Sequence, residues 1–465
     1  MNVLDKKVFL SCLCLIFLQA YYCLPILAII DKENKSVKTE EVIIKHTNKD
    51  KKIVKNIDLD NILEKAIANS YDLKLADFDV VIAKYGINEA KAEYLPKFGI
   101  YAGNEYNKNF KDSLTTITVG DVFVNPYTRF QTIAGATLTY NLYDFGVRKS
   151  YLDMAKEDVK LKNYLQLEQN QDLSLTVIDL YARILIVNEQ IKLKKEILAL
   201  EQKTLTMKNR LYKAGEASKI ELNDQTAKVA RVKKEIAVLE GLLEENLISM
   251  TFFTNEDYDI KNLKVADVQI PNININDEFD YSKSVTNHIH EHVLKKKQLE
   301  LLAIKRTNYP KVNLYSKYYM YGSDPKKYAE GFNDFSPSNW AIGASVSMTP
   351  FDGGKVRSKV KQTEIEVKKV KVEKAKAIAE LTKKIDTLKS NYKTNTSQLE
   401  ASNSMVKELN TKEISMEKLL KNKIISPIEL QDSKVALLEE KIDNLKLKTT
   451  AVAIARSLQV LTKTY

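Results

Sequence analysis

The sequence predicts a mainly α-helical fold that carries transmembrane β-structure and is built twice on one plan. Three observations point to it. First, Tyr143-Asp144-Phe145-Gly146 returns 208 residues later as Phe351-Asp352-Gly353-Gly354, and the same offset lays Ala217-Ser218-Lys219-Ile220-Glu221 onto Ile425-Ser426-Pro427-Ile428-Glu429. One offset joining two separated motifs marks an internal duplication. Second, Val147 to Gly215 and Lys355 to Lys423 have no interior Pro or Gly, so each can run as one helix of about 100 Å at about 1.5 Å per residue. Third, short period-two segments precede each long helix.

The first helical stretch starts at Asp58, a suitable N-cap, and ends before Pro96. Its stripe of Ile62, Ala66, Asn69, Leu73, Ala76, Val80, Ala83, Ile87 and Ala90 steps by threes and fours. The period then changes to two. Phe98, Ile100 and Ala102 alternate with Lys97, Gly99, Tyr101 and Gly103; after a polar loop with Gly120 and Pro126, Thr132, Ala134, Ala136, Leu138 and Tyr140 share a face. In the second copy Trp340, Ile342, Ala344, Val346 and Met348 oppose Ala341, Gly343, Ser345 and Ser347. An apolar side facing a small, polar side suits a strand between lipid and a watery lumen; a half-buried hairpin in a soluble protein has the same alternation. Trp and Tyr near the strand ends favour the membrane reading. Four strands cannot close a transmembrane barrel, which needs about eight, so that reading requires several chains.

Each long helix turns near Gly215 or Asn422, and a shorter helix returns from Ser218 or Ser426, both natural N-caps. A return of about 35 residues climbs only about 50 Å, so the helix before each hairpin (about 58–95 and 277–309) supplies the missing half. A long helix flanked by two half-length helices stacked end to end follows. In the second long helix Val356, Val360, Thr363, Val367, Val370, Lys374, Ala377, Leu381, Ile385, Leu388 and Tyr392 form a coiled-coil seam, imperfect at Lys374. The domain plan is therefore a signal peptide at 1–28, an extended arm at 29–56, a first repeat at 57–253 with its hairpin at about 97–141, a linker at 254–276, and a second repeat at 277–465 with its hairpin at about 311–349.

The signal peptide reads from Lys6-Lys7, the apolar run Val8 to Leu18 and a further apolar stretch to Ala28, where cleavage is expected. Cys12, Cys14 and Cys23 all lie within it, so the mature chain would hold no cysteine; a lipid-modified Cys23 is disfavoured by Tyr22 before it. The net charge is +11, but 72 basic and 61 acidic residues are interleaved, as on solvated helix faces, and no nucleic-acid partner is expected.

Together, the signal peptide, two copies of helix–strand–strand–long helix–short helix, and the Tyr143–Gly146 and Phe351–Gly354 turns resemble the TolC-like outer-membrane efflux protein family over nearly the whole mature chain. The resemblance implies a homotrimer whose protomers share a 12-stranded β-barrel in the outer membrane of a Gram-negative bacterium, with outer-membrane lipid around it and a long helical barrel in the periplasm. It implies an exit duct for tripartite efflux or type I secretion, docking to a periplasmic adaptor and an inner-membrane pump of ABC or RND type. It also implies a pore constriction at the helical tip. The matching acids are Glu429 and Asp432, three residues apart on one helix face, which three copies would arrange as stacked carboxylate rings favouring cations. Glu221 and Asp224 are their first-repeat counterparts. Family members can latch the tip with a Tyr and an Arg just before the acids; here those places hold Leu420 and Ile425, so apolar packing would replace that latch.

Asp144, Gly146, Asp352, Gly353 and Gly354 are read as strand-to-helix turns, Asp capping the helix and Gly permitting the sharp bend. Asp144-Phe145-Gly146 matches a kinase metal-binding triplet without its partner motifs, and no nucleophile–base set or glycine-rich phosphate cradle accompanies it, so no enzyme and no cofactor is expected. His288, His290 and His292 lack an identifiable further ligand, and no metal is expected there. The alternative function, from a different class, is a soluble periplasmic coiled-coil adaptor of membrane-fusion type.

Overall fold

The computed structural model describes residues 53–54, 56–106, 117–119, 122–124, 130–258, 264–265, 269–271, 278–324 and 326–463, all within the unit Lys52–Tyr465. The expected signal peptide, nearly all of the arm, much of the linker, and Gly120 and Pro126 in the first hairpin loop lie outside these residues.

In chain order, β1 (Ile53–Val54) and β2 (Asn56–Ile57) lead into α1 (Leu59–Asn69) and α2 (Tyr71–Ala92). The first hairpin comprises β3 (Lys97–Tyr106), the short pair β4 (Ile117–Val119) and β5 (Val122–Val124), and β6 (Phe130–Tyr143). The helices α3 (Val147–Lys213) and α4 (Lys219–Thr254) follow, then β7 (Asp257–Tyr258) and β8 (Lys264–Val265). The second copy runs through α5 (Val285–Lys305), β9 (Lys311–Asp324), α6 (Tyr328–Asn333), β10 (Ser336–Ser347), α7 (Lys355–Lys421) and α8 (Pro427–Thr462).

Both long helices have 67 residues and both return helices 36, each pair set 208 residues apart. α3 is the central element. Its first half packs on α2 and α5, its second half on α4 and α8, and α7 packs on α5 and α8. The half-length helices meet end to end: Lys65 of α1 pairs with Glu256 at 2.9 Å, Asn69 Nδ2 donates to the Thr254 carbonyl at 2.9 Å, and the rings of Tyr71 and Phe252 lie 6.4 Å apart.

Three expectations need correction. The stretch at 58–95 is two helices, not one. Ser70 leaves the helical conformation at ψ 125° and its hydroxyl accepts from Leu73 N at 3.3 Å, so a side-chain cap starts a new helix where the apolar stripe runs on unbroken. The second-copy helix begins at Val285, after a Ser284 cap, instead of near 277. The segments read as an extended arm and an irregular linker also carry strands that meet: β1 pairs in parallel with β7, and β2 with β8.

The main core lies where these strands, α1 and the C-terminal end of α4 surround the middle of α3. Val177, Ile178, Ile184, Leu243, Leu247 and Met250 pack there with Ile57, Leu59, Ile62 and Ala66. From residue 177 to 191 α3 is buried on nearly every side, whereas α7 buries only a stripe that includes Thr363, Val370, Ile385 and Tyr392. Lys374, the flaw in that seam, reaches Glu291 of α5 at 3.1 Å.

The two hairpins join side by side into one antiparallel sheet of order β10-β9-β6-β3. β3 and β10 are its edges.

Candidate pore constriction and sheet junctions

At the first strand-to-helix junction Phe145 (φ 54°) and Gly146 (φ 85°) both adopt the left-handed conformation, and Gly353 (φ 70°) and Gly354 (φ 85°) repeat it. Phe145 is the less favoured residue there, and its ring packs on Tyr143 and Tyr309 at 4.8 and 5.6 Å. Asp144 sits two residues before the N-cap position yet supplies the cap. Its carboxylate accepts from Gly146 N at 3.1 Å, from Arg148 N at 3.0 Å and from Arg148 Nε at 3.0 Å. Arg148 in turn donates to the Glu93 carbonyl at 3.1 Å and stands over the Tyr94 ring, tying α3 to the end of α2. Asp352 accepts from Val356 N at 2.8 Å and Gly354 N at 3.1 Å. Those hydrogen bonds, with Val356's the stronger influence, hold its carboxyl below the usual carboxylate range.

Asp144→Ala is expected to lose about 2–3 kcal/mol, because a nearly buried guanidinium and two helix N–H groups lose their acceptor together. Chemical denaturation of both alanine variants checks it. Asp352→Ala should lose less, and equal losses would discount the Arg148 pair.

At the opposite end both helical hairpins turn through a Schellman motif. Gly215 N donates to the Tyr212 carbonyl at 3.0 Å and Glu216 N to Leu211 at 2.9 Å; Lys423 N and Ile424 N make the matching bonds to Leu420 and Leu419 at 2.9 and 3.0 Å. The second turn places Lys423 at φ 58° where the first has glycine. Lys423→Gly should therefore stabilise the second hairpin by about 1 kcal/mol by relieving left-handed strain. A rise in the unfolding midpoint is the expected readout, and a fall would show that this backbone is unstrained.

Glu221, Asp224, Glu429 and Asp432 all lie exposed at the start of the return helices. The structure separates their local roles. Ser218 accepts from Glu221 N at 3.2 Å while the Glu221 carboxylate accepts from Ser218 N at 3.1 Å, a closed capping box. Ser426 accepts from Glu429 N at 3.2 Å, with Pro427 in the first turn, and among the described residues Glu429 makes no bond back to Ser426 N. Glu429 and Asp432 thus stay free of that local task.

Sequence reasoning missed the braces behind the tips. Gln225, 1 % exposed, donates to both the carbonyl and the carboxylate of Glu201, joining α4 to α3. Lys434 joins α8 to α7 through Glu417 at 2.8 Å and Glu413 at 3.4 Å, and its hydrogen bond to Glu417 raises the lysine and lowers that glutamate. Only the fold reveals these pairs, since each partner reads alone as a solvated helix residue.

Two of the three histidines find partners across the fold. The Tyr164 ring of α3 stacks on His288 at 4.8 Å and on His292 at 5.4 Å. His292 Nδ1 lies 2.7 Å from the carboxylate of Glu157, which also holds Lys160 and Lys295 at 3.1 and 3.0 Å. Burial pushes the Glu157 carboxyl up, but hydrogen bonds from Lys295, His292 and Lys160 outweigh it and bring the pKa down to about 2. Burial lowers His290.

In the sheet, register places Phe98, Leu138 and Ser316 in line with Ile342, and Ile100, Ala136 and Tyr318 in line with Trp340. This face is apolar and largely exposed: Ile100 and Ile342 are 75 % and 72 % open. The reverse face carries Tyr101, Thr137 and Lys317, with Tyr101 lying across Gly135 and Tyr315 across Gly343.

Residues 62–256 match the family described as outer membrane efflux protein. The chain is 26% identical over 213 residues to the pyoverdine export outer membrane protein OpmQ of Pseudomonas aeruginosa, covering 45% of this chain and 44% of that protein, so the match spans less than half of the curated relative's length. The fold is similar to the outer membrane protein VceC of Vibrio cholerae (TM-score 0.71, 12% identity, 87% of this chain and 96% of that one). It is similar also to the outer membrane channel CmeC of Campylobacter jejuni (TM-score 0.71, 14% identity, 87% of this chain and 85% of that one).

Proposed function

We propose that the chain is a member of the outer membrane efflux protein family, whose model matches residues 62–256, and that it is the outer-membrane exit duct of a tripartite export system. The observation that carries the proposal is the four-stranded sheet, with one face apolar and exposed and both edges, β3 and β10, unpaired among the described residues. An open edge is a template for another strand. Three copies joining β3 to β10 would make a closed barrel of about 12 strands, with its apolar face to lipid and its tyrosine- and threonine-bearing face to the lumen. Unpartnered apolar stripes below support the same trimer: Leu75, Phe78, Ile82 and Tyr85 on α2, and Ile365 and Val372 on α7, are all exposed.

In this assembly Glu429 and Asp432 line a periplasmic constriction, and the tips dock to an adaptor and an inner-membrane pump. The name of OpmQ favours small-molecule cargo over protein. The adaptor alternative needs one helical hairpin between compact β domains; two hairpins rooted in one sheet do not suit it.

The test is gel electrophoresis of outer-membrane extract, unheated and heated, followed by bilayer conductance. A trimer that collapses on boiling is expected, and Glu429→Ala with Asp432→Ala should reduce its cation preference several-fold. A soluble periplasmic monomer would overturn the duct; unchanged selectivity would remove the two acids from the constriction.

A further inference from the structure

We propose that α6 is an interfacial anchor, seated at the boundary between headgroups and acyl chains of the outer leaflet; the proposal rests on the exit-duct reading. The helix lies in the loop between β9 and β10, at the end of the sheet away from the helical body. Its side of the sheet follows from register. Gly322 pairs with Thr132, two residues along from Met320 and Ala134, so it lies on the same face as Ile100, Trp340 and Ile342. A Cβ built on Gly322 would run into the Gly331 carbonyl of α6 and come within 2.7 Å of the Phe335 backbone. The helix therefore rests on the lipid-facing side of the wall, over Gly322 and the buried Thr132, and not across the mouth of the duct.

Its residues sort by face. Tyr328, Gly331 and Phe332 share one face of the helix and Phe335 follows just beyond its end, while Glu330 lies on the opposite face, with Lys327 and Asp334 at the two caps. The Tyr328 ring meets Phe130 edge-on at 6.1 Å, Phe130 lies 5.0 Å from Tyr106, and Phe332 stacks on Phe335 at 6.2 Å. Tyr106, Tyr328 and Phe332 remain about half exposed. On the polar side Lys327 pairs with Glu330 at 2.7 Å, and Asp324 accepts from Lys326 N and Lys327 N at 2.7 and 2.6 Å, fixing the start of the helix. An amphipathic turn with half-exposed rings, continuous with the apolar face of the sheet, fits the zone where aromatic side chains meet lipid headgroups.

The chain's single tryptophan, Trp340, lies on the same face and makes the test internally controlled. Wild-type trimer and a Trp340→Phe, Phe332→Trp variant are reconstituted into phosphatidylcholine vesicles carrying bromine either near the glycerol or deep in the acyl chain. The indole introduced on α6 is expected to be quenched at least twofold more by shallow than by deep bromine, and to be shielded from iodide. Trp340→Phe, Tyr328→Trp gives the same reading if the first variant does not assemble. Gly322→Val, which lifts α6, should abolish the shallow quenching. If iodide quenches the new indole and bromine does not, while native Trp340 is quenched by brominated lipid, the anchor is wrong and the duct stands. If Trp340 is also untouched by lipid, the membrane reading falls with it.

Discussion

Ile184→Ala is expected to lower the unfolding free energy by about 3–4 kcal/mol, the range for emptying a fully buried branched side chain that its surroundings cannot refill. Ile184 is 0 % exposed, and it lies where the middle of α3 meets α1 and the end of α4. Relaxation is restricted because the strand pairs β1–β7 and β2–β8 close the same region. Guanidinium unfolding of detergent-solubilised protein should show a lower midpoint with an unchanged slope. A loss below about 1 kcal/mol would mean that the core around the middle of α3 is loosely packed and that stability resides in the barrel or the trimer contacts.

A second large effect is expected from acid. Glu157 has its carboxyl held at about 2 against an ordinary 4.5, with its side chain 7% exposed. A lowered carboxyl contributes stability that is complete above the unfolded value and is lost as pH falls through the folded one. The shift corresponds to about 3 kcal/mol, present above about pH 4.5 and gone near pH 2. Glu157→Gln keeps the shape and removes the charge. The difference in stability between wild type and variant, followed from pH 6 to 2 by denaturant titration, should shrink toward zero across that window. A difference that stays constant would assign the effect to some other carboxylate.

The parts legible in the sequence are those written as periodicity. Long runs without Pro or Gly gave α3 and α7, and alternation at Phe98–Ala102 and Trp340–Val346 gave strands with one lipid-suited face. The misses have physical reasons. At Ser70 the apolar stripe passes through a break made by a side-chain cap, so the period does not register it. The six residues of α6 are too few to show a helical period, and the two-residue strands β7 and β8 too few to alternate. The Glu157–His292 pair joins residues 135 apart, and its location depends on α5 packing against α3. At the tip, sequence identified acids at helical spacing but not that Glu221 is occupied by its own cap while Glu429 is not.

The equal lengths of α3 and α7 set a rule of phase. Removing one residue from the middle of either would turn every side chain beyond that point by about 100° and draw the tip up by about 1.5 Å. Buried Ile197 and Glu201 would swing away from α4, and the hairpin mouths of the two repeats would no longer lie level. Substitutions can accumulate along these helices, as the exposed Ile365 in place of Glu157 illustrates, but the count of 67 residues behaves as a mechanical gauge that only paired changes in both copies could reset.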